Sequence, residues 1–341
     1  SRQVYQICKD STGFIWAYTH MGVDRYDGNE IRHYKLNETI DSKDHILSFT
    51  VMEIDKEGNL WIALRNGRIY RYDKLKDCFE LQVDLSQSIS FPVLNGIEFE
   101  ENEGLWLSTS TGVYYWNRTD NVLSPAGLIG EWTNCIIKSA ENTFFVGTNT
   151  EVYKMERAGT TCQLSKEKVD IPVEARIEAL FLYGTKLYVG TFSNSAFVID
   201  LATKQVKSLD SFIPGIPVRV FAHDGDHSIL IGADGAGVFR IDAANETLTE
   251  HYITDEDDER SLNGNTVSDI CVDEYGGIWV STCTNGISYL DPNVPDVRWI
   301  RHERNNPSSL VSDHVNVMLQ DSEGDYWYLS LIHISEPTRP Y

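Results

Sequence analysis

The chain has 341 residues, of which 41% are hydrophobic and 11% aromatic, so it can bury a core and is not a disordered sequence. Its formal net charge of −22 disfavours nucleic acid and anionic membranes as partners, because both are bound through Lys and Arg. The 6 cysteines form no CxxC pair, which argues against zinc and thiol-redox motifs, and no apolar run approaches the roughly 18 residues of a membrane span.

One sequence unit recurs along the chain. Its clearest copy, DKEGNLWIALRNGRIYRYD, begins at Asp55 and has Gly three residues after Asp and Trp three residues after Gly. The Trp position is filled in turn by Trp16, Trp61, Trp106, Phe145, Tyr188, Leu230, Trp279 and Trp327, at intervals of 45, 45, 39, 43, 42, 49 and 48 residues. A period in the forties, with four short strands per unit, is typical of a β-propeller.

The elements of one unit can be predicted in chain order. FTVMEID predicts a first strand, and Asp-x-x-Gly predicts a tight turn in which the carboxylate accepts backbone N–H bonds and Gly supplies a positive φ. LWIAL predicts a second strand whose Trp packs between sheets, and RIYRYD and CFELQVD predict the third and fourth strands. We therefore interpret as structural the repeat residues Asp10, Gly13, Trp16, Asp55, Gly58, Trp61, Gly104, Trp106, Asp273, Gly276, Trp279, Asp321, Gly324 and Trp327. Trp116 and Trp299 are expected to be packing residues.

These units predict an all-β protein. Residues 1–302 should form one seven-bladed β-propeller of four-stranded antiparallel blades. Residues 303–328 should begin a further blade, as the start of a second, truncated propeller. The last segment, LSLIHISEPTRPY (329–341), resembles a translated sequencing adapter and is interpreted as an artefact. The opening SRQVYQICKD already has a strand-like pattern, so we expect a fragment.

The combination Asp-x-x-Gly-x-x-Trp-x-x-Thr, then Gly and Tyr-Asp, with Ser-Leu before the first strand, resembles the two-component-regulator propeller repeat. This resemblance implies the periplasmic sensor region of a hybrid two-component system of gut Bacteroidota. In that family two propellers precede an immunoglobulin-like module, a transmembrane helix, a histidine kinase, a receiver and a DNA-binding domain. The resemblance implies that the ligand is an oligosaccharide and that the partners are the second propeller and the downstream modules. It also implies a homodimer for the full-length protein.

The catalytic motifs GxSxG, HExxH and GxxxxGK[ST] are absent from the sequence. We therefore expect no catalytic residue, metal or cofactor in this chain, and we interpret the acidic run from Asp255 to Glu259 as a solvated loop rather than a calcium site. Two functions stay open, a glycan sensor and a protein-interaction scaffold, with a propeller glycosidase or lyase as a remote alternative.

The ligand surface is expected on the face opposite the Asp-x-x-Gly turns, because the loops there have fewer structural constraints. The loops after Trp-x-x-Thr contribute the candidates His20, Arg65, Asn149, Asn194, Asp234 and Asn285, with Ser110 and Phe192 beside them. The segments entering the first strands contribute Trp132, Arg176 and Arg219. A sugar ring could stack on Trp132, and either arginine could pair with an acidic sugar. Alternatively, Trp132 caps the fourth blade and this face is a docking surface.

Overall fold

Antiparallel β-strands make up nearly all of the regular structure. The computed structural model describes residues 2–36, 51–88, 93–100, 104–158, 162–258, 260–291, 300–302, 306, 308–329 and 334–338. The only helix among these residues is a short 3-10 turn, Leu85–Gln87. The predicted all-β class is therefore confirmed.

Seven sheets follow one another along the chain, and the strands of each sheet lie side by side in sequence order. Blades 1 and 2 contain β1 (Val4–Lys9), β2 (Ile15–Thr19), β3 (Gly22–Tyr26), β4 (Ile31–Tyr34), β5 (Val51–Ile54), β6 (Leu60–Ala63), β7 (Arg68–Asp73) and β8 (Cys78–Asp84). Blades 3 and 4 contain β9 (Leu94–Glu100), β10 (Gly104–Thr109), β11 (Gly112–Asn117), β12 (Val122–Gly127), β13 (Thr133–Ala140), β14 (Thr143–Thr148), β15 (Val152–Arg157) and β16 (Leu164–Val169). Blades 5 and 6 contain β17 (Ile177–Tyr183), β18 (Lys186–Thr191), β19 (Ala196–Asp200), β20 (Val206–Ser208), β21 (Val218–Asp224), β22 (Ser228–Ala233), β23 (Gly237–Asp242) and β24 (Thr247–Tyr252). Blade 7 contains three described strands, β25 (Val267–Val272), β26 (Ile278–Thr282) and β27 (Gly286–Leu290).

The first strands of the seven blades form the inner wall of a closed ring. Each contacts the first strand of the next blade, and β25 of the last blade contacts β1 of the first. At this junction Ile7 N donates to Asp269 Oδ2 at 2.9 Å, and Gly286 N donates to the Arg2 carbonyl at 2.7 Å. The predicted seven-bladed propeller is confirmed.

The repeated Asp does more than form the turn. In the second blade Asp55 accepts hydrogen bonds from Asn59 N at 2.7 Å and from the Trp61 indole at 2.8 Å, while Gly58 has a φ of 76°. The same bond joins Asp10 to Trp16 at 2.8 Å and Asp273 to Trp279 at 3.1 Å. The carboxylate therefore fixes the turn and the indole six residues later together.

The Trp position lies in the core of nearly every blade. Trp16, Trp61 and Trp106 have no exposed surface, and the substitutes Phe145, Tyr188 and Leu230 are buried as well. Trp279 differs from the expectation of full burial: it is only partly buried, and its ring centre lies 4.3 Å from that of the half-exposed Tyr289, with the two ring planes tilted. Trp116 is buried, as expected for a packing residue, whereas Trp299 lies outside the described residues.

Gly104 has a different role from the other repeat glycines. It begins strand β10 rather than occupying a turn with positive φ, and an added Cβ would lie 2.3 Å from the Tyr115 hydroxyl. Glycine at this position lets the Tyr115 ring pack against the backbone.

A second compact unit contains β28 (Val317–Gln320), β29 (Tyr326–Leu329) and β30 (Ile334–Thr338), which form one antiparallel sheet. Its Trp327 indole donates to Asp321 Oδ2 at 2.8 Å, as in the ring, and Gly324 has a φ of 91°. These extra strands fit the start of a second propeller. The boundaries at residues 302 and 328 and the artefact at 329–341 stay predictions, and residues 303–305 and 330–333 lie outside the described part.

Candidate ligand-binding cavity

The first strand of six blades carries a β-bulge at the same place. The bulge inserts one residue opposite the second strand, and a bulge turns its side chain away from the regular alternation. The inserted residues are Tyr5, Asn95, Asn134, Glu178, Arg219 and Ser268. All six line one cavity of about 560 Å³ on the axis of the ring. The equivalent position of the second blade precedes Val51 and lies outside the described residues.

The mouth of this cavity carries ion pairs between neighbouring blades. Glu178, whose side chain is only 8% exposed, pairs with Arg176 Nε at 2.8 Å and with Arg219. Arg219 also binds Asp234 Oδ2 at 3.0 Å. Arg65 lines the cavity from the second blade, and burial and repulsion from Arg176 lower its pKa. Three arginines therefore converge at one end of the axis.

Deeper in the channel the charges are acidic. Enclosure within the ring raises the pKa of Asp269 to about 7, although its bonds from Ile7 N and Ile270 N act in the opposite direction. The Glu53 side chain is accessible to solvent, but the surrounding protein of the ring and repulsion from Asp269 and Glu98 raise its pKa to about 8. Burial also raises the pKa of Glu98. The carboxyl groups deeper in the channel are therefore partly protonated near neutral pH, so they can donate as well as accept hydrogen bonds.

A second cavity of about 790 Å³ lies toward the Asp-x-x-Gly turns. Glu53 and Ile97 line both cavities, and Glu98, Lys56 and Lys138 line the second. Glu98 accepts a bond from Lys138 N at 3.0 Å. Along the axis, the character of the wall thus changes from arginine at one end to mixed carboxylate and lysine at the other.

The structure brings together some of the predicted site residues. Arg65, Arg176, Arg219 and Asp234 line the axial cavity. The predicted residues that are not among its lining are His20, Ser110, Trp132, Asn149, Phe192, Asn194 and Asn285. Trp132 is partly buried and directly precedes β13.

The loop asparagines have contacts that suit a structural role. Asn149 accepts a bond from the cavity residue Asn134 at 3.1 Å, so it lies beside the cavity. Asn285 N binds the Thr282 hydroxyl, and Asn194 N binds that of Thr191. The Thr of Trp-x-x-Thr therefore organises the following turn, and these asparagines belong to that turn.

The sequence reasoning missed the bulge residues Tyr5, Asn95, Asn134, Glu178 and Ser268 as cavity-lining positions. A signal was present: a tyrosine or a polar residue stands second in VYQI, LNGI, TNCI, IEAL and VSDI, each the start of a first strand. Strand alternation alone does not predict which way this side chain points, because the bulge shifts the register at that point.

Residues 261–284, which include the turn residue Asp273 and the partly buried Trp279, match the family model described as "Two component regulator propeller". The chain carries a two-component-regulator propeller repeat. No curated protein sequence matches the chain. No helix in the described part of the propeller is long and apolar enough to cross a membrane, and no group of three or more His, Cys, Asp or Glu there could hold a metal ion.

Several solved structures share this propeller fold. An extracellular domain from B. thetaiotaomicron, titled as part of the hybrid two component system BT4673, is 22% identical with a TM-score of 0.70, over 96% of this chain and 43% of that one. The extracellular domain titled as BT3049 of the same organism is 17% identical with a TM-score of 0.73, over 99% and 47%. A structure titled streptogramin B lyase is 18% identical with a TM-score of 0.66, over 84% and 93%. The chain thus spans less than half the length of these two extracellular domains.

Proposed function

We propose that this chain is the ligand-sensing, extracytoplasmic propeller of a hybrid two-component system, and that it detects an oligosaccharide in the periplasm to control polysaccharide-utilisation genes. The observation that carries this proposal is the axial cavity, where six blades present varied side chains from one repeated bulge. Such a cavity offers paired donors and acceptors of the kind that sugar hydroxyl groups require. The propeller repeat and the similarity to extracellular domains of two-component systems support it.

In this proposal the chain binds and does not catalyse. Kinase activity would belong to modules of the full-length protein, which would act as a homodimer with a second propeller. One structure with the same fold is titled as a lyase, but similarity of fold at 18% sequence identity does not transfer an activity. The described lining of the cavity contains carboxylates, arginines, amides and hydroxyls, with no histidine among them.

Calorimetry of the purified chain against a panel of oligosaccharides tests the proposal. We expect at least one glycan to bind with a one-to-one stoichiometry. Ala179→Phe, which narrows the cavity, should abolish the heat of binding, whereas Ala202→Phe on an exposed turn should leave it unchanged. Thermal unfolding verifies that both variants are folded. Failure of every glycan to bind would contradict the sensor role.

A scaffold function is the second candidate, and three exposed apolar residues favour it. Met21 is 74% exposed, Ile129 is 56% exposed and Phe192 is 44% exposed, all on loops at the end of the ring where the first strands begin. An apolar rim of this kind suits docking to a protein partner. Self-association in sedimentation that is lost in Met21→Ser with Ile129→Ser would favour this function, and a monomer at all concentrations would argue against a second copy as the partner.

A further inference from the structure

Arg176 lines the cavity, and the two terminal nitrogens of its guanidinium group are the donors that it could offer to a ligand. Its side chain is 46% exposed, and its Nε lies 2.8 Å from Glu178 Oε1. In the described part of the chain its two terminal nitrogens donate no hydrogen bond, and the guanidinium carbon lies 5.7 Å from the centre of the Phe192 ring. Arginine presents its donors in a planar fork that matches a carboxylate or a sulfate. The Glu178 pair therefore anchors Arg176 from one side and leaves its fork available.

Neighbouring Arg219 cannot offer the same donors. It is bound to both Glu178 and Asp234, and its side chain is only 19% exposed. Its position strengthens the site indirectly, because it neutralises Glu178 and so lowers the attraction between that carboxylate and Arg176. The structure thus distinguishes two arginines that the sequence left equivalent.

Arg65 supplies a second cation at the same mouth. It lies on the loop between β6 and β7 of the second blade and lines the cavity with Arg176 of the fifth. Repulsion from Arg176 contributes to the lowered pKa of Arg65. An anion bound between these two guanidinium groups would be attracted by both of them.

Phe192 adds a flat apolar surface beside these cations. Its ring is 44% exposed and lies within 6 Å of the guanidinium carbons of Arg176 and Arg219. An exposed aromatic face stacks on the apolar face of a sugar ring. The rest of the chain is strongly acidic, at −22, so its field repels anions and recognition of one must come from local donors.

We propose that the mouth of the axial cavity binds an anionic sugar, with its carboxylate or sulfate group between Arg65 and Arg176 and its ring against Phe192. This inference rests on the proposed function and narrows its ligand class to acidic oligosaccharides. Hydroxyl groups of the same ligand would donate to the carboxyl groups deeper in the channel, such as Asp269.

Calorimetry with three matched probes tests this site: a uronic acid oligosaccharide, a sulfated oligosaccharide and a neutral oligosaccharide of equal length. We expect an anionic probe to bind more tightly than the neutral one, and Arg176→Gln to weaken that binding about 10- to 100-fold, as expected for loss of a charge-assisted bond. Lys204→Gln removes the same charge from a turn whose Lys204 is 84% exposed, so it should leave binding unchanged. Arg176→Lys keeps the charge and should restore part of the affinity.

The probes also separate the two sources of the anion and the two levels of the proposal. Binding of the uronic acid alone assigns a carboxylate, and binding of the sulfated probe alone assigns a sulfate. Binding of the neutral probe alone, or an anionic affinity that Arg176→Gln does not change, would overturn the anionic site while the sensor role stands. Absence of binding by all three probes and by the wider panel would overturn both.

Discussion

The two ends of the ring use the repeat in opposite ways. At the turn end, Asp10, Asp55 and Asp273 make the same hydrogen bond to an indole six residues later. At the cavity end, the same bulge recurs in six blades, but no residue type is common to all, the inserted residues being Tyr, Asn, Asn, Glu, Arg and Ser. The same side chains recur at the turns, where their hydrogen bonds stabilise the fold. The side chains vary at the bulges, where the backbone conformation is what recurs. The variable end is therefore able to take on recognition.

The largest effect should come from the turn end of the core. Trp61 has no exposed surface and donates to Asp55, so Trp61→Ala should lower the free energy of unfolding by about 3–5 kcal/mol in urea titration. Tyr275→Ala is the control, because Tyr275 is 72% exposed, and it should cost less than about 1 kcal/mol. Equal losses in the two variants would break the distinction between repeat and non-repeat aromatics.

A smaller loss is expected when the carboxylate is removed and the indole is kept. Asp55→Ala leaves the buried Trp61 N–H without its acceptor and removes the bond to Asn59 N, which should cost about 1–3 kcal/mol. Glu57 is exposed in the same turn, so Glu57→Ala should change stability by less than about 0.5 kcal/mol. Chemical denaturation compares the two. If Asp55→Ala matched Glu57→Ala, the carboxylate would have no structural role.

The acidic residues of the channel should make stability depend on pH. The pKa of Asp269 is raised to about 7 in the fold, so the folded state binds this proton more tightly than the unfolded chain does. Its contribution to stability is therefore complete at or below about pH 4 and is lost as the pH rises toward 7. Asp269→Asn should abolish this component. Because Asp269 is only partly buried, solvent screening reduces this effect, and we expect the change in stability between pH 4 and 8 to differ by about 1 kcal/mol between the wild type and the variant.

Thermal unfolding of the wild type and of Asp269→Asn across that range measures the difference. The pKa of the neighbouring Glu53 is also raised, to about 8, so Glu53 contributes a pH dependence of the same sign in both proteins. Parallel pH profiles for the two proteins would show that Asp269 does not titrate in this range.

The smallest effect on stability should come from the variable end. Asn134→Ala removes a bond to Asn149 between partly exposed side chains, so we expect a change within about 0.5 kcal/mol of the wild type. The same substitution should weaken glycan binding, which calorimetry detects. A large loss of stability without loss of binding would place Asn134 with the structural residues.

Much of the fold could be predicted from the sequence, because the residues that recur are the ones that form the turns and pack between the sheets. The position of Trp61 predicts the second strand, and the spacing of the anchors predicts the number of blades. In three blades the anchor is not Trp, and its residue type does not predict the second strand. Only the spacing indicates that Phe145, Tyr188 and Leu230 are buried in the same way. Gly104 shows the converse, a repeat glycine that the structure uses for packing against Tyr115.

The candidate site was less accessible to sequence reasoning. Sequence position placed Arg65 and Arg176 on one face, and both line one cavity, although the role of that face in ligand binding stays a prediction. It could not separate Arg176 from Arg219, because that difference depends on which guanidinium Glu178 and Asp234 occupy. It also favoured Trp132, whose large ring is conspicuous in the sequence but does not line the cavity.

Each of the first six blades is one uninterrupted stretch of chain, and among the described strands the ring closes through side-to-side contact between β25 and β1. A unit of this kind can be duplicated, deleted or exchanged without dividing any sheet. New recognition surfaces could then arise by shuffling whole blades, each of which would bring its own bulge residue to the axis. The mouth would acquire a new set of side chains while every turn and every indole bond stayed intact.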